Sequence, residues 1–286
     1  MQKLGDILKH TYMVQQGKSS QILNQLYGDT KRYRKLLVPY IEKITKHYRN
    51  KHLNSLFSSL GSRIIAIAPM KFCEALLCDL KIKIDDGSLA ALGLHMLAIS
   101  THDDVVDEMV RERTKLAALV YAGNISSNEG SKILLLQGNA AAATVLLDKI
   151  NENHYCQQKV VETLWTKPPA TFSEYKEGVQ HIRVFIEIGL HYGLSLAGRK
   201  DLERQVKKYA EGYGIALQLI DDLREIEEDK TFGYWSYPIV EGEPFKRSFK
   251  ELYRHIDICK KSVPVSWKNL QELTKRLEAL SKSIQQ

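Results

Sequence analysis

Apolar residues recur every three to four positions over most of this chain, the spacing that lines one face of an α-helix. In "KRYRKLLVPYIEKITKHY", Leu36, Leu37, Tyr40, Ile41 and Ile44 fall along one face. "SKILLLQGNAAAATVLLDKI" is rich in Ala and Leu, both strong helix formers. From Asp201 onward, "DLERQVKKYAEGYGIALQLIDDLREIEEDK" reads as one long amphipathic helix. The alternation that marks strands is scarce. Breaks are predicted at Gly61 and over 84–88, 122–131, 165–174, 197–201 and 230–238, where Gly, Pro, Ser, Asn and Asp collect. The break at "WTKPPATFSE" also holds a helix start, with Thr171 as N-cap and Glu174 three residues on. These breaks leave about ten helices and no linker long enough to mark a boundary. The expected fold is all-α, a single-domain helical bundle over residues 1–286.

Two apolar runs end abruptly in acids. "LAALGLHMLAI" (89–99) leads into "STHDDVVDE". A helix over 89–107 puts Asp103 and Asp107 on one face with Asp104 beside them. Three carboxylates this close repel one another unless a cation offsets the charge. Oxygen ligands of this kind suit Mg²⁺, which completes its shell with water and phosphate oxygens. The design recurs in "GIALQLIDDLREIEEDK", with Asp221, Asp222 and Glu225 at i, i+1 and i+4 and Gln218 one turn earlier. Acids on a solvated helix face are the plainer reading of one such cluster. Two clusters, each behind a run that must be buried, favour a metal-bound diphosphate at the mouth of an apolar cavity between the two helices.

Composition narrows the partners. The chain has 286 residues, 44% hydrophobic and 26% charged, with a net charge of +7. A basic balance fits nucleic acid, an anionic membrane or an anionic small substrate, and lysines spread along the chain make a nucleic-acid surface the weakest of these. Cys73, Cys78, Cys156 and Cys259 form no CxxC pair and complete no zinc pattern, so reduced thiols of a cytoplasmic protein are expected. The first residues lack the apolar core of a signal peptide, and the longest apolar run is too short to span a bilayer. A lipid-like substrate still leaves room for peripheral membrane contact.

With these motifs in hand, the chain resembles the trans-isoprenyl diphosphate synthases over about residues 55–240. "THDDVVDE" is similar to that family's first aspartate-rich motif. "LQLIDDLRE" is similar to the second, with Glu225 where Asp is usual. "LLLQGNAAAA" looks like the helix after the first motif, and "TFSEYKEGVQHIRV" like the segment that carries a diphosphate-binding lysine. The resemblance implies an all-α bundle around a deep apolar cavity, three Mg²⁺ ions, an allylic prenyl diphosphate that is ionised, and a homodimer. It implies that Asp103 and Asp107 hold two ions and that Asp221 or Asp222, with Glu225, holds the third. Asp104 joins the catalytic set. Arg111, Arg113, Arg183, Gln218 and Lys230 become candidates for contact with the diphosphate. Ala98 and Ile99, one to two turns before Asp103, would floor the cavity. Neither is aromatic, which implies a substrate of C15 or longer; the competing reading is that Ala98 and Ala91 simply let a neighbouring helix pack closely.

The departures from the family bear on the reaction. Where a basic motif binds isopentenyl diphosphate, this chain has "GSRIIA" (61–66), keeping Arg63 but placing Ser62 and Ile65 at the other basic positions. Met96 stands where the family has a histidine, with His95 adjacent. The lysine of the middle segment falls on Ile182, beside Arg183. The metal site is thus kept and the second-substrate site reduced. Cyclisation or elimination within one prenyl diphosphate is the expected outcome. Chain elongation with isopentenyl diphosphate is the first alternative, with Arg63, Lys71 and Arg113 as substitutes. Transfer to another acceptor, a peptide included, is a further one. A non-catalytic subunit of a partner synthase is the remaining alternative, and such a subunit needs neither acid cluster.

Overall fold

The computed structural model describes residues 25–28, 30–48, 67–106 and 113–285, and every regular element among them is a helix. In chain order these are α1 (Lys31–Tyr48), α2 (Ala68–Asp79), α3 (Asp86–Val106), α4 (Arg113–Leu136), α5 (Ala140–Glu162), α6 (Phe172–Gly178), α7 (Gln180–Ala197), a 3₁₀ turn (Lys200–Leu202), α8 (Glu203–Arg224), α9 (Ile226–Phe232), α10 (Tyr237–Glu241), α11 (Lys246–Ser262) and α12 (Lys268–Ser283). The expected break at Gly61 lies outside the described residues.

Local sequence accounts for most boundaries. In α1, Tyr33, Leu37, Ile41 and Ile44 are buried at helical spacing. Asp85 caps α3 by accepting from the Ser88 backbone N–H (2.8 Å) and the Ser88 hydroxyl (2.6 Å). From Ser88 to Thr101 every residue of α3 is buried, which marks it as a central helix. Thr171 caps α6 as expected, accepting from the Glu174 N–H at 3.2 Å. The returning bond of Glu174 goes one residue further out, to the N–H of Ala170 (2.8 Å).

Three expectations are corrected. The break over 122–131 is absent, because α4 runs straight through it. Its small residues are packing positions against α3: a Cβ at Gly130 would come within 3.0 Å of the Ala91 carbonyl, and one at Gly123 within 2.6 Å of Thr101 Oγ1 and His102 Nε2. Conversely, the Ala- and Leu-rich stretch is two helices, divided at Gly138, whose φ of 71° ends α4. The long helix from Asp201 onward is also divided: a 3₁₀ turn precedes α8, and Glu225 separates α8 from α9.

Two apolar clusters share α2 and α7 as a common wall. One is built with α6, α8, α11 and α12, the other with α1, α3, α4 and α5. Phe72 of α2 meets Tyr213 and Tyr209 of α8 edge-on, with centroids 4.9 and 6.3 Å apart. The hydroxyl of Tyr192, late in α7, donates to the carbonyl of Ser88, at the start of α3 (3.0 Å). So α7 runs antiparallel to α3. It is also antiparallel to α8: Gly198, at φ 63°, turns the chain back, and Gly214 of α8 lies against the backbone of Arg183. α3 and α8 therefore run the same way, and their acidic C-terminal ends point to one end of the bundle. No helix among the described residues is long and apolar enough to cross a membrane.

Candidate functional site

The end of α3 is located by His102, the residue before Asp103. Its ring lies 5.8 Å from that of His154 in α5. The adjacent Asn153 donates to the carbonyl of His181, in the first turn of α7 (2.8 Å). The end of α8 is located by Asp222, which accepts from the hydroxyl of Tyr175 in α6 (2.6 Å). Residues 175–181, where α6 passes into α7, thus bond the end of α8 directly and are linked to the end of α3 through α5.

Asp222 is buried, and its second oxygen accepts from Gln218 Nε2 (2.7 Å). Burial pushes its carboxyl up to about 7, with the bonds from Tyr175 and Gln218 pulling the other way. Asp221 is exposed at the rim. The crowding of surrounding protein, then the charges of Asp222 and Asp229, still hold its carboxyl above the usual range, although the side chain keeps its access to water. Asp229, in α9, is pushed up to about 7 by burial and by Glu225. The carboxylates of α8 and α9 form one mutually repelling group, and Asp222 is held by neutral donors only.

Among the described residues, no three His, Cys, Asp or Glu side chains are arranged to hold a metal ion unaided. Yet exposed Asp221 beside buried, repelling acids fits a site that lends part of a Mg²⁺ shell and leaves the rest to water, a phosphate or other ligands. The donor chemistry, all oxygen, fits that ion.

The other predicted residues divide into three groups. Asp103 and Asp104 lie in the last turn of α3 and Arg113 opens α4. Their side chains lie outside the described residues, as do Asp107, Arg111 and the stretch with Ser62, Arg63 and Ile65. Gln218, Asp221, Asp222 and Glu225 gather at the end of α8. Arg183 and Lys230 are engaged elsewhere. Arg183 pairs with Glu152 (3.2 Å) and Glu187 (3.1 Å), and Lys149 completes the network at 2.7 Å from each acid. Lys230 is exposed and pairs with Glu227 at 2.8 Å. Ile99 is part of the apolar core, and Ala98 is buried on the stripe with Ala91, His95 and His102 that meets α4. That placement favours close helix packing at Ala98 over a cavity floor. Met96 is fully buried, and His95 is turned to the hydroxyls of Ser127 (3.1 Å) and Ser131 (3.4 Å) of α4. A cavity of about 700 Å³ lies between α1 and α4, lined by Pro39, Ile44, Glu42, Lys43, Glu129 and Lys132 among others, and none of its lining residues is at the acidic ends.

Tyr175 and Asp229 were not singled out from sequence. Tyr175 stood four residues after the cap Thr171, where its spacing marked only a core position. Asp229 stood in "EEDK", which reads as a solvated run.

No protein-family model matches the chain, and no curated protein matches it in sequence. Solved structures do. The geranylgeranyl pyrophosphate synthase of Corynebacterium glutamicum superposes with a TM-score of 0.64 at 16% identity, over 90% of this chain and 95% of that one. The geranyltranstransferase of Thermotoga maritima gives 0.62 at 14%, over 88% and 98%. The geranylgeranyl pyrophosphate synthetase of the archaeon Geoglobus acetivorans gives 0.62 at 20%, over 86% and 98%. The chain has the all-α fold of these prenyl synthases.

Proposed function

We propose that the chain is a Mg²⁺-dependent class I isoprenoid synthase that ionises an allylic prenyl diphosphate. One observation carries this reading: two apolar helices, α3 and α8, run in the same direction, the acidic end of α8 is bonded to Tyr175, and the end of α3 lies beside α5, whose Asn153 bonds the same α6–α7 junction at His181. Asp103 and Asp107 would hold two ions, and Asp221 or Asp222, with Glu225, a third. Mg²⁺, when bound, supplies positive charge that stabilises a departing diphosphate. The chain's own residues bind and orient. Tyr175 and Gln218 fix Asp222. Arg111 and Arg113 are the cations proposed to grip the diphosphate, with Lys230 able to join by leaving its exposed pair with Glu227, whereas Arg183 is held by two carboxylates. The apolar residues of α3 would help to exclude water from the reacting carbon.

For the fate of the cation, cyclisation or elimination is supported by Met96, buried in the core where a phosphate-binding histidine would be needed, and by Ile182 in place of a lysine. Transfer to isopentenyl diphosphate is the second reading, favoured by the fold shared with proteins named as geranylgeranyl pyrophosphate synthase and geranyltranstransferase. A chain of C15 or longer is proposed because no Phe, Tyr or Trp stands between Leu89 and Asp103 to shorten a cavity beside α3; Ala98, which packs toward α4, has no part in this. A homodimer is proposed because Tyr121, Leu135, Leu136 and Tyr155 expose apolar surface on α4 and α5.

The test is incubation with Mg²⁺ and prenyl diphosphates of C10, C15 and C20, with and without isopentenyl diphosphate, and mass spectrometry of the products. A hydrocarbon or alcohol formed without isopentenyl diphosphate supports the first reading. A longer linear diphosphate formed only with it supports the second. No turnover under any condition rejects both.

A further inference from the structure

We propose that Tyr175 is a positioning residue: together with Gln218 it fixes Asp222 as a buried anchor, and so presents the adjacent Asp221 as the carboxylate of this cluster that meets the cation. The inference rests on the metal–diphosphate reading above and assigns roles within it.

Three observations carry it. Each oxygen of Asp222 accepts a short bond, 2.6 Å from Tyr175 and 2.7 Å from Gln218. Asp221 and Asp222 are consecutive on a helix, so their side chains diverge by about 100° and only one can face the mouth. Asp221 is exposed and Asp222 is buried, which decides which one does. Gln218 lies on α8 itself and cannot fix the direction of that helix. Tyr175 comes from α6 and ties the end of α8 to the segment that opens α7. Its ring is fully buried, packed against Phe172 and Tyr237 with centroids 5.6 and 5.9 Å away, so the hydroxyl is held in place. A tyrosine that only filled the core would have no effect on the cation. The proposal requires one.

The test uses Mn²⁺ as a paramagnetic probe. It is titrated into the wild-type chain, Tyr175→Phe, Asp221→Asn and Asp222→Asn, each with a non-hydrolysable farnesyl thiodiphosphate. Thermal unfolding and circular dichroism are recorded alongside. Losing an outer partner of a metal ligand weakens metal binding about 10-fold or more, and loosening the Asp222 anchor beside Asp221 is expected to raise the half-saturating metal concentration about 10-fold for Tyr175→Phe with the helical fold retained. Asp222→Asn should weaken binding but keep the number of ions, whereas Asp221→Asn should lose one. Wild-type Mn²⁺ binding by a folded Tyr175→Phe overturns the proposal. So does loss of an ion in Asp222→Asn with none lost in Asp221→Asn, and this second pair decides the matter if Tyr175→Phe does not fold. Absence of Mn²⁺ binding in the wild type with the thiodiphosphate strikes the metal–diphosphate reading itself, which separates the two failures.

Discussion

Asp222 and Asp229 carry carboxyls pushed up to about 7, well above the 3.8 of an ordinary aspartate. A raised carboxyl stabilises the folded chain fully below pH 3.8, and that stabilisation is lost as pH rises through about 7. Buried His95 and His191 and half-buried His181, held down to about 4 by desolvation, act oppositely: their stabilisation is full above 6.5 and is lost as pH falls toward 4. The two sets offset each other between those limits, so the acids are best read through the metal. Asp221 beside them, the carboxylate proposed to meet the cation, is likewise raised, and a cation needs it deprotonated. The rise in melting temperature on adding Mg²⁺ should therefore be larger at pH 8 than at pH 6, and equal rises would contradict the assignment. Arg183 gives a second prediction at this scale. Arg183→Gln leaves Glu152 and fully buried Glu187 with Lys149 alone, and removing one partner of such a network costs about 3 kcal/mol. Urea denaturation measures this. Unchanged stability with lost diphosphate binding would return Arg183 to the substrate. The acids themselves were legible because four carboxylates directly after buried runs have few uses. Tyr175 was not, because its meaning comes from Asp222, distant in sequence and near in space.

α7 touches most of its neighbours, and small residues set how closely. A Cβ at Gly189 would lie 2.1 Å from the carbonyl oxygen of Pro69, which is backbone and cannot yield. One turn on, a Cβ at Gly193 would meet Leu76 at 3.4 Å, an ordinary contact. Gly189→Ala should thus destabilise the chain by about 3 kcal/mol or more, and Gly193→Ala should be neutral or gain up to about 1 kcal/mol of helix propensity. Equal effects in denaturation would mean that α2 and α7 are not packed this closely. The same ambiguity explains which elements sequence could reveal. α3 and α6 were legible from apolar runs and caps. α4 was cut in two because Gly123, Asn124, Ser126, Ser127 and Gly130 signal a turn and a close approach alike. Only the presence of α3 decides between them.

At the scale of the whole molecule, Leu135 is 67% and Leu136 79% exposed on α4, and Tyr121 of α4 and Tyr155 of α5 are exposed as well. In a homodimer this surface is covered. Light scattering should give about twice 32.7 kDa for the wild type, and Leu136→Glu should shift the chain toward monomer. A monomeric wild type would remove the assembly from the account. Sequence alone could not separate these leucines from core ones, since helical spacing says which face is apolar and not what covers it. The central claim is that the two acidic helix ends use a divalent cation to ionise a prenyl diphosphate. Its most direct test is release of inorganic diphosphate from farnesyl or geranylgeranyl diphosphate, measured with Mg²⁺ and with excess chelator, for the wild type and Asp221→Asn. The account predicts release by the wild type only with Mg²⁺, and loss of about 100-fold or more in the variant, of the order that follows removal of one electrostatic stabiliser. Equal release in chelator, or wild-type release by Asp221→Asn, would contradict it.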